Sequence, residues 1–181
     1  MAQRPQTYSS AHLQRQREAH ARTDGYGRHR HLYLHDTMRR LAAQLHALSW
    51  LDYGCGKGGF IEQIRPLGLF ASITGFDPAV RTFEARPDCR HDLVTCLHVL
   101  DMVEPRFVDA VLADVATLTG GLAVFDVLTM PKPSSRLTPH RPFYWTQLVR
   151  RHMDVVESTV EFPGMQDFER VLIVAAPRLL T

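Results

Sequence analysis

Between Ser49 and Pro78 the chain reads strand, glycine loop, short helix, strand, acid, and that order leaves few folds open. Ser49-Trp50-Leu51-Asp52-Tyr53 is a short apolar run carrying an acid, and Gly54-Cys55-Gly56-Lys57-Gly58-Gly59 follows directly. An amphipathic run from Gly59 to Pro66 comes next, and Leu69 to Phe76 then leads to Asp77-Pro78. Glycines let the backbone turn tightly and approach a ligand without a Cβ in the way, while the following helix offers free N–H groups. Asp77, at the end of the second strand, is placed to accept hydrogen bonds from a ribose diol. Such a unit binds a group that contains adenosine.

Three loop patterns compete for these residues. Gly54, Gly56, Gly59 and Asp77 satisfy the dinucleotide pattern Gly-x-Gly-x-x-Gly with an acid about 20 residues on. A phosphate loop would need Ser or Thr after Lys57, and Gly58 stands there, so that pattern fails. The third, acid-x-Gly-x-Gly-x-Gly, is met by Asp52, Gly54, Gly56 and Gly58. On these residues the chain resembles the class I S-adenosylmethionine-dependent methyltransferases. Leu51 to Gly58 is similar to the first motif of that family, Gly75-Phe76-Asp77-Pro78 to its ribose-binding second strand, and Asp92 to Val103 to its fourth strand and following loop. The likeness runs from about Leu48 to the C-terminus.

The resemblance implies S-adenosylmethionine as cofactor. Asp52 would lie near the methionine part, Gly54, Cys55, Gly56 and Gly58 would pass beneath it, and Asp77 would hold the ribose hydroxyls. Pro78 and Leu97 complete the implied cofactor set. The implied fold is α/β, a Rossmann-like, doubly wound, mostly parallel sheet with a C-terminal antiparallel hairpin. One edge is expected to be abbreviated, because the stretch between Asp77 and Asp92 is too short for a full helix and a third strand. A similar shortening occurs in small methyltransferases of bacteriophages and bacteria. The missing strand would have carried the adenine contact, for which Cys89, Arg90 or His91 are the substitutes at hand.

At 181 residues, 45% hydrophobic and 22% charged, the chain can bury its own core as one domain. Residues 1–27 are expected to form a polar, loosely docked arm with a thin helical stripe from Ala11 to Arg22, and 28–181 a single domain. The formal charge of +2 argues for neither a nucleic-acid nor a membrane partner, and leaves nucleic acid open. Cys55, Cys89 and Cys96 form no CxxC pair and are odd in number, so neither a disulfide framework nor a zinc site is expected. No apolar run reaches membrane-spanning length and no signal-peptide core opens the chain, which makes the cytoplasm the default location.

Arg28-His29-Arg30-His31 precedes a helix expected over Leu32 to Leu48. Tyr26, Arg28, His31 and His35 are candidates for substrate or cofactor contact, although a solvated helix start is the preferred reading for any one of them. His31 and His35 have helical spacing but no third ligand is indicated, so no metal is expected.

His98 follows the apolar strand Leu93 to Leu97, at the end where open parallel sheets place ligands. It is the first candidate for a base or an acceptor-orienting group, with His140 the second and Asp101 and Asp126 behind them. Val103 to Leu118 reads as helix, Gly120 and Gly121 as a turn, and Leu122 to Leu128 as a strand in which Asp126 needs a cavity or a partner. The proline-rich stretch Thr129 to Tyr144 offers Arg136, His140, Arg141 and Tyr144 as acceptor handles, or serves only as a stiff linker. Phe143 to His152 reads as helix, and Val155 to Phe162 and Phe168 to Ala175 as a hairpin joined through Pro163-Gly164.

Neither an Asp-Pro-Pro-Tyr motif nor a Pro-Cys nucleophile occurs, which counts against the standard DNA base methyltransferases. The expected activity is methyl transfer to a small molecule or a nucleotide, with a protein or RNA site also open. A cofactor-binding regulator or assembly subunit without transferase activity is the alternative, and a nicotinamide-dependent oxidoreductase the third reading.

Overall fold

The computed structural model describes residues 6–46, 48–129, 140–161 and 169–178. Its frame is a six-stranded sheet of β1 (Ser49–Tyr53), β2 (Ser72–Phe76), β3 (His91–Leu97), β4 (Thr119–Leu128), β5 (Met153–Glu161) and β6 (Arg170–Pro177). The spatial order is β2-β1-β3-β4-β6-β5. The first four strands run parallel, whereas β6 is antiparallel to β4 and β5 antiparallel to β6. From β1 the chain goes first to one side and then to the other, so a crevice opens at the C-terminal ends of β1 and β3.

Helices α2 (His35–Leu45) and α3 (Gly59–Ile64) go with the core on one face, around Trp50, Phe60, Leu93 and Val124. Helices α4 (Val108–Leu118) and α5 (Pro142–Arg150) cover the other, around Leu51, Val94, Phe125 and Trp145. Neighbours such as Trp50 and Leu51 point to opposite faces and are both fully buried, which is why these strands read as continuous apolar runs. Each such large side chain contributes about 2–3 kcal/mol of burial.

The abbreviated edge and the C-terminal hairpin are both present. In place of a third strand the chain makes a 3-10 turn over Arg81–Phe83. Phe83 lies on Gly75 and Gly58, where a Cβ would come within 2.7 and 3.0 Å of its ring, and its carbonyl accepts from Asp77 N at 2.8 Å. One aromatic ring covers the edge that a strand would otherwise cover. The expected turn at Pro163-Gly164, with Phe162 and Phe168, lies outside the described residues.

Several boundaries differ from expectation for local reasons. Gly120 and Gly121 belong to β4, because a Cβ on Gly121 would stand 2.5 Å from Asp92 O, beside the register shift between His91 and Leu93. The helix expected over Leu32 to Leu48 begins as a 3-10 turn at Leu32–Leu34 and ends at Leu45, where His46 turns left-handed at φ 49°. The N-terminal stretch carries α1 (Ser10–Arg22), capped by Ser9 Oγ, which accepts from His12 N at 3.0 Å. No residue of α1 is buried. Among the described residues no helix is long and apolar enough to cross a membrane.

Candidate functional site

The chain leaves β1 through a loop with three left-handed glycines, Gly54 (φ 77°), Gly56 (φ 54°) and Gly58 (φ 79°), a region open to glycine and strained for other residues. A Cβ on Gly54 would stand 2.3 Å from a Val99 methyl, and one on Gly56 would stand 2.4 Å from Gly27 O. Lys57 N donates to that same carbonyl at 2.8 Å, and the Lys57 ammonium donates to Thr23 O at 2.9 Å. The loop is therefore both the floor of a cavity and the seat of the segment before α2.

Two acids flank this floor. Trp50 Nε1 donates to Thr95 Oγ1 at 2.9 Å and Thr95 donates to Asp52 Oδ1 at 2.7 Å, which locks Asp52 at the end of β1. Burial pushes the Asp52 carboxyl up to about 7, against the Thr95 hydrogen bond, and the nearby Asp77 adds to the rise. Asp77 accepts from Gly56 N at 3.0 Å and Ala79 N at 2.9 Å, and burial holds it above the ordinary carboxylate range. Two carboxylates with so few donors, Asp52 buried and Asp77 half-buried, make a pocket that favours a cation and hydroxyl donors.

Of the eight expected cofactor residues, Asp52, Gly54, Cys55, Gly56, Asp77, Pro78 and Leu97 line this cavity. Gly58 stands behind it, at the start of α3 and under Phe83. Burial pushes the Cys55 thiol far up, so it stays a neutral wall. The roof is the N-terminal segment: Tyr8, Leu13, Gln16 and His20 line the cavity, as does Tyr26. Ser9 fastens it, donating from N and Oγ to Glu104 at 2.9 and 3.0 Å.

His29, His31 and His98 line the same cavity. His98 follows β3 at φ 55° and is held to Asp126 of β4 twice, by its N–H on Asp126 O at 2.8 Å and by Nε2 3.2 Å from Oδ2. The Tyr33 hydroxyl donates closely to Asp126 Oδ2 and lies 3.3 Å from His98 Nε2 and 2.9 Å from His31 Nδ1. Arg170 sets its guanidinium 3.6 Å over the Tyr33 ring, 3.8 Å from Asp126, and pairs with Glu161. Burial pushes Asp126 up, but the His98 and Tyr33 hydrogen bonds and the charge of Arg170 outweigh it and leave the carboxyl below its ordinary range. Burial, then the charge of His98, lowers His31 to about 3. The Tyr33 phenol is driven up by burial and by Asp126.

His140 stacks on Tyr144 at 3.8 Å, edge-on to Trp145, and does not line the cavity. Asp101 is buried, pushed up to about 6 by that burial, and also lies off the cavity. Arg28 pairs with Glu62 at 3.4 Å and His35 meets Gln63 at 3.3 Å, while Tyr26 and His31 of the same stretch do reach the cavity. Cys89, Arg90 and His91 do not line it, and His91 turns to Thr74 at 3.2 Å. Arg136 lies outside the described residues. Tyr26 was among the expected contacts, whereas Tyr33, Arg170, Tyr8, Leu13, Gln16 and His20 were not legible as site residues. The only hint was a charge opening the apolar run Arg170-Val171-Leu172-Ile173-Val174.

A mostly parallel sheet with an acid-flanked glycine loop at its switch point, closed by an antiparallel hairpin, is a nucleotide-binding arrangement. A family model described as a methyltransferase domain matches residues 26–160, and the chain belongs to that family. No curated protein matches it in sequence. Among solved structures it is similar to 1,6-didemethyltoxoflavin-N1-methyltransferase of Burkholderia thailandensis, crystallised with 1,6-didemethyltoxoflavin and S-adenosylhomocysteine. The TM-score is 0.67 at 18% identity, over 99% of this chain and 93% of that one. It is also similar to the N-methyltransferase NodS of Bradyrhizobium japonicum WM9 in complex with S-adenosylhomocysteine (TM-score 0.62, 14% identity, 93% and 100% covered). A third likeness is to magnesium protoporphyrin IX methyltransferase of Synechocystis PCC 6803 with bound S-adenosylmethionine (TM-score 0.62, 17% identity, 94% and 99% covered). At these identities the likeness is one of fold.

Proposed function

We propose that this chain transfers the methyl group of S-adenosylmethionine to a nitrogen or oxygen of a small-molecule or nucleotide acceptor. The observation that carries the reading is a single roofed cavity walled at one end by Asp52, Gly56 and Asp77 and at the other by His31 and His98. When bound, the cofactor supplies an activated methyl: the acceptor's lone pair forms the new C–N or C–O bond, the C–S bond breaks with its electrons on sulfur, and any acceptor proton leaves to solvent.

The chain's own residues bind, orient and exclude water. Asp52, whose carboxyl burial pushes up to about 7, would accept the α-ammonium of the methionine part. Asp77, fixed by two backbone N–H groups, would take the ribose hydroxyls, and Gly54 and Gly56 leave bare backbone under the ligand. Pro78, Ala79, Met102 and Val111 offer an apolar slot for a flat base. His98, anchored to Asp126, faces the acceptor and fixes where its nucleophile lies. A roof over the cavity favours an acceptor that fits inside over a macromolecular surface, and the similar fold crystallised with 1,6-didemethyltoxoflavin supports that preference.

Calorimetric titration with S-adenosylmethionine, S-adenosylhomocysteine and NAD tests the donor half. Binding of the first two, lost in Asp77→Ala, is the expected result; binding of NAD alone would overturn it. Turnover in an acceptor screen that collapses in His98→Ala, with homocysteine-form binding retained, is expected for the acceptor half. Tight cofactor binding with no methylated product from any acceptor pool would favour a regulator instead.

A further inference from the structure

We infer that His31, His98 and Asp126, with the Tyr33 hydroxyl, form a site for one divalent transition-metal ion of the zinc type at the acceptor end of the cavity. The donor atoms of the two histidines and the aspartate lie within 4.8 Å of one another. His98 Nε2 stands 3.2 Å from Asp126 Oδ2, and the Tyr33 oxygen stands 2.9 Å from His31 Nδ1 and 3.3 Å from His98 Nε2. Bonds of about 2.0–2.1 Å in a tetrahedral zinc site space the ligand atoms about 3.3–3.4 Å apart, so the pairs at 2.9, 3.2 and 3.3 Å already stand near that spacing, while the wider pairs would draw in and Tyr33 would move off Asp126 to admit an ion.

Three further observations set the cluster apart from an ordinary hydrogen-bond network. Asp126 is fully buried and its Oδ1 has no hydrogen-bond partner among the described residues, which leaves acceptor capacity unused in a place where that is costly. Two of the three non-glycine residues at positive φ among the described residues are His31 (φ 27°) and His98 (φ 55°). Strained backbone of this kind persists where the surroundings hold a side chain in a required direction. Arg170, 3.8 Å from Asp126, is itself paired with Glu161, so its charge is shared between two acids and Asp126 is not neutralised by it alone.

Two imidazoles, a carboxylate and a phenol favour zinc, cobalt or nickel over magnesium and calcium, which prefer all-oxygen shells. The inference rests on the acceptor-end reading of this cavity. It narrows the acceptor to a molecule with an oxygen or aromatic nitrogen that would displace the Tyr33 hydroxyl from the ion, its proton passing to solvent, before it is methylated.

The test uses the full chain, stripped with a chelator and then titrated with Zn2+ by calorimetry and with Co2+ by visible absorption. One equivalent bound at micromolar affinity or tighter, with ligand-field bands for cobalt, is expected. His31→Gln and Asp126→Asn should each weaken zinc at least about tenfold, with His35→Ala as a control that leaves it unchanged. S-adenosylhomocysteine titration and thermal unfolding of the same variants report whether donor site and fold are intact. No saturable Zn2+ or Co2+ binding in a folded chain that still binds S-adenosylhomocysteine would overturn the metal site and leave His98 as a hydrogen-bonded group. Metal binding indifferent to both His31→Gln and Asp126→Asn would overturn it equally. Failure to bind S-adenosylhomocysteine, by contrast, counts against the methyl-transfer reading and not against the ion.

Discussion

The two ends of the cavity are built by opposite means. The proposed donor end draws most of its residues from one continuous stretch, Asp52 to Ala79, in which backbone geometry does most of the positioning: three left-handed glycines and two carboxylates on strand ends, with Thr95 fixing one of them from β3. The acceptor end is made of side chains brought from four separate places, His31 and Tyr33, His98, Asp126, and Arg170. A site made of contiguous backbone tolerates little change and is modular. One assembled from distant side chains can be retuned at a single residue without disturbing its partner. The largest substitution effects on binding are therefore expected at the donor end, and the largest effects on turnover alone at the acceptor end.

The sharpest break should come at Gly56. Gly56→Val places a branched side chain 2.4 Å from Gly27 O at a left-handed φ, and should cost about 3–5 kcal/mol of stability and abolish cofactor binding, as thermal unfolding and calorimetry would show. His98→Ala should lower turnover about 10²–10⁴-fold while changing S-adenosylhomocysteine affinity less than about threefold. Comparable losses in both quantities would erase the division between the ends.

Asp52 sharpens the comparison through pH. Its folded, ligand-free value of about 7 lies above the ordinary 3.8, so in between the folded chain holds the more protons. Its contribution therefore favours folding at low pH and is lost as pH rises through 7. The cofactor's ammonium prefers the ionised form, so affinity should rise with pH, by up to about tenfold per unit below 7. Asp52→Asn should flatten that profile and weaken binding, yet raise the melting temperature of the ligand-free chain at pH 8.

Glu104→Gln, which weakens the hold on Ser9, should cost about 0.5–1.5 kcal/mol of roof docking. It would show as faster tryptic cleavage at Arg15 or Arg17 in the ligand-free chain. The smallest effect is expected for His140→Ala, since His140 stacks on Tyr144 away from the cavity. A change in turnover beyond about threefold would bring the proline-rich stretch into the acceptor site.

What the sequence disclosed follows the same division. Asp52, the glycines and Asp77 were legible because loop chemistry and strand ends compress the donor site into one motif. The missing edge strand was legible from the distance between Asp77 and Asp92, and the hairpin from its two apolar runs. His98 was legible only as a position at a strand end. Its partners were not, because Tyr33 sits in an apolar Leu-Tyr-Leu turn and Arg170 at the mouth of a strand, and nothing local tells that β6, inserted between β4 and β5, carries Arg170 to Asp126. The approach of the Gly27 backbone to Gly56 was not legible either. A contact between two glycines leaves no side chain to predict it from.

The roof has a consequence for the rhythm of the reaction. A helix with no buried residue, fastened at Ser9 and at Lys57, lends Leu13, Gln16 and His20 to the cavity wall. Under the proposed reaction, spent donor is expected to leave when that helix lifts, and the pace of successive turnovers to be set at the door and not at the bond being made. A burst of product in the first turnover, followed by a slower steady rate that Glu104→Gln accelerates, would be its kinetic signature.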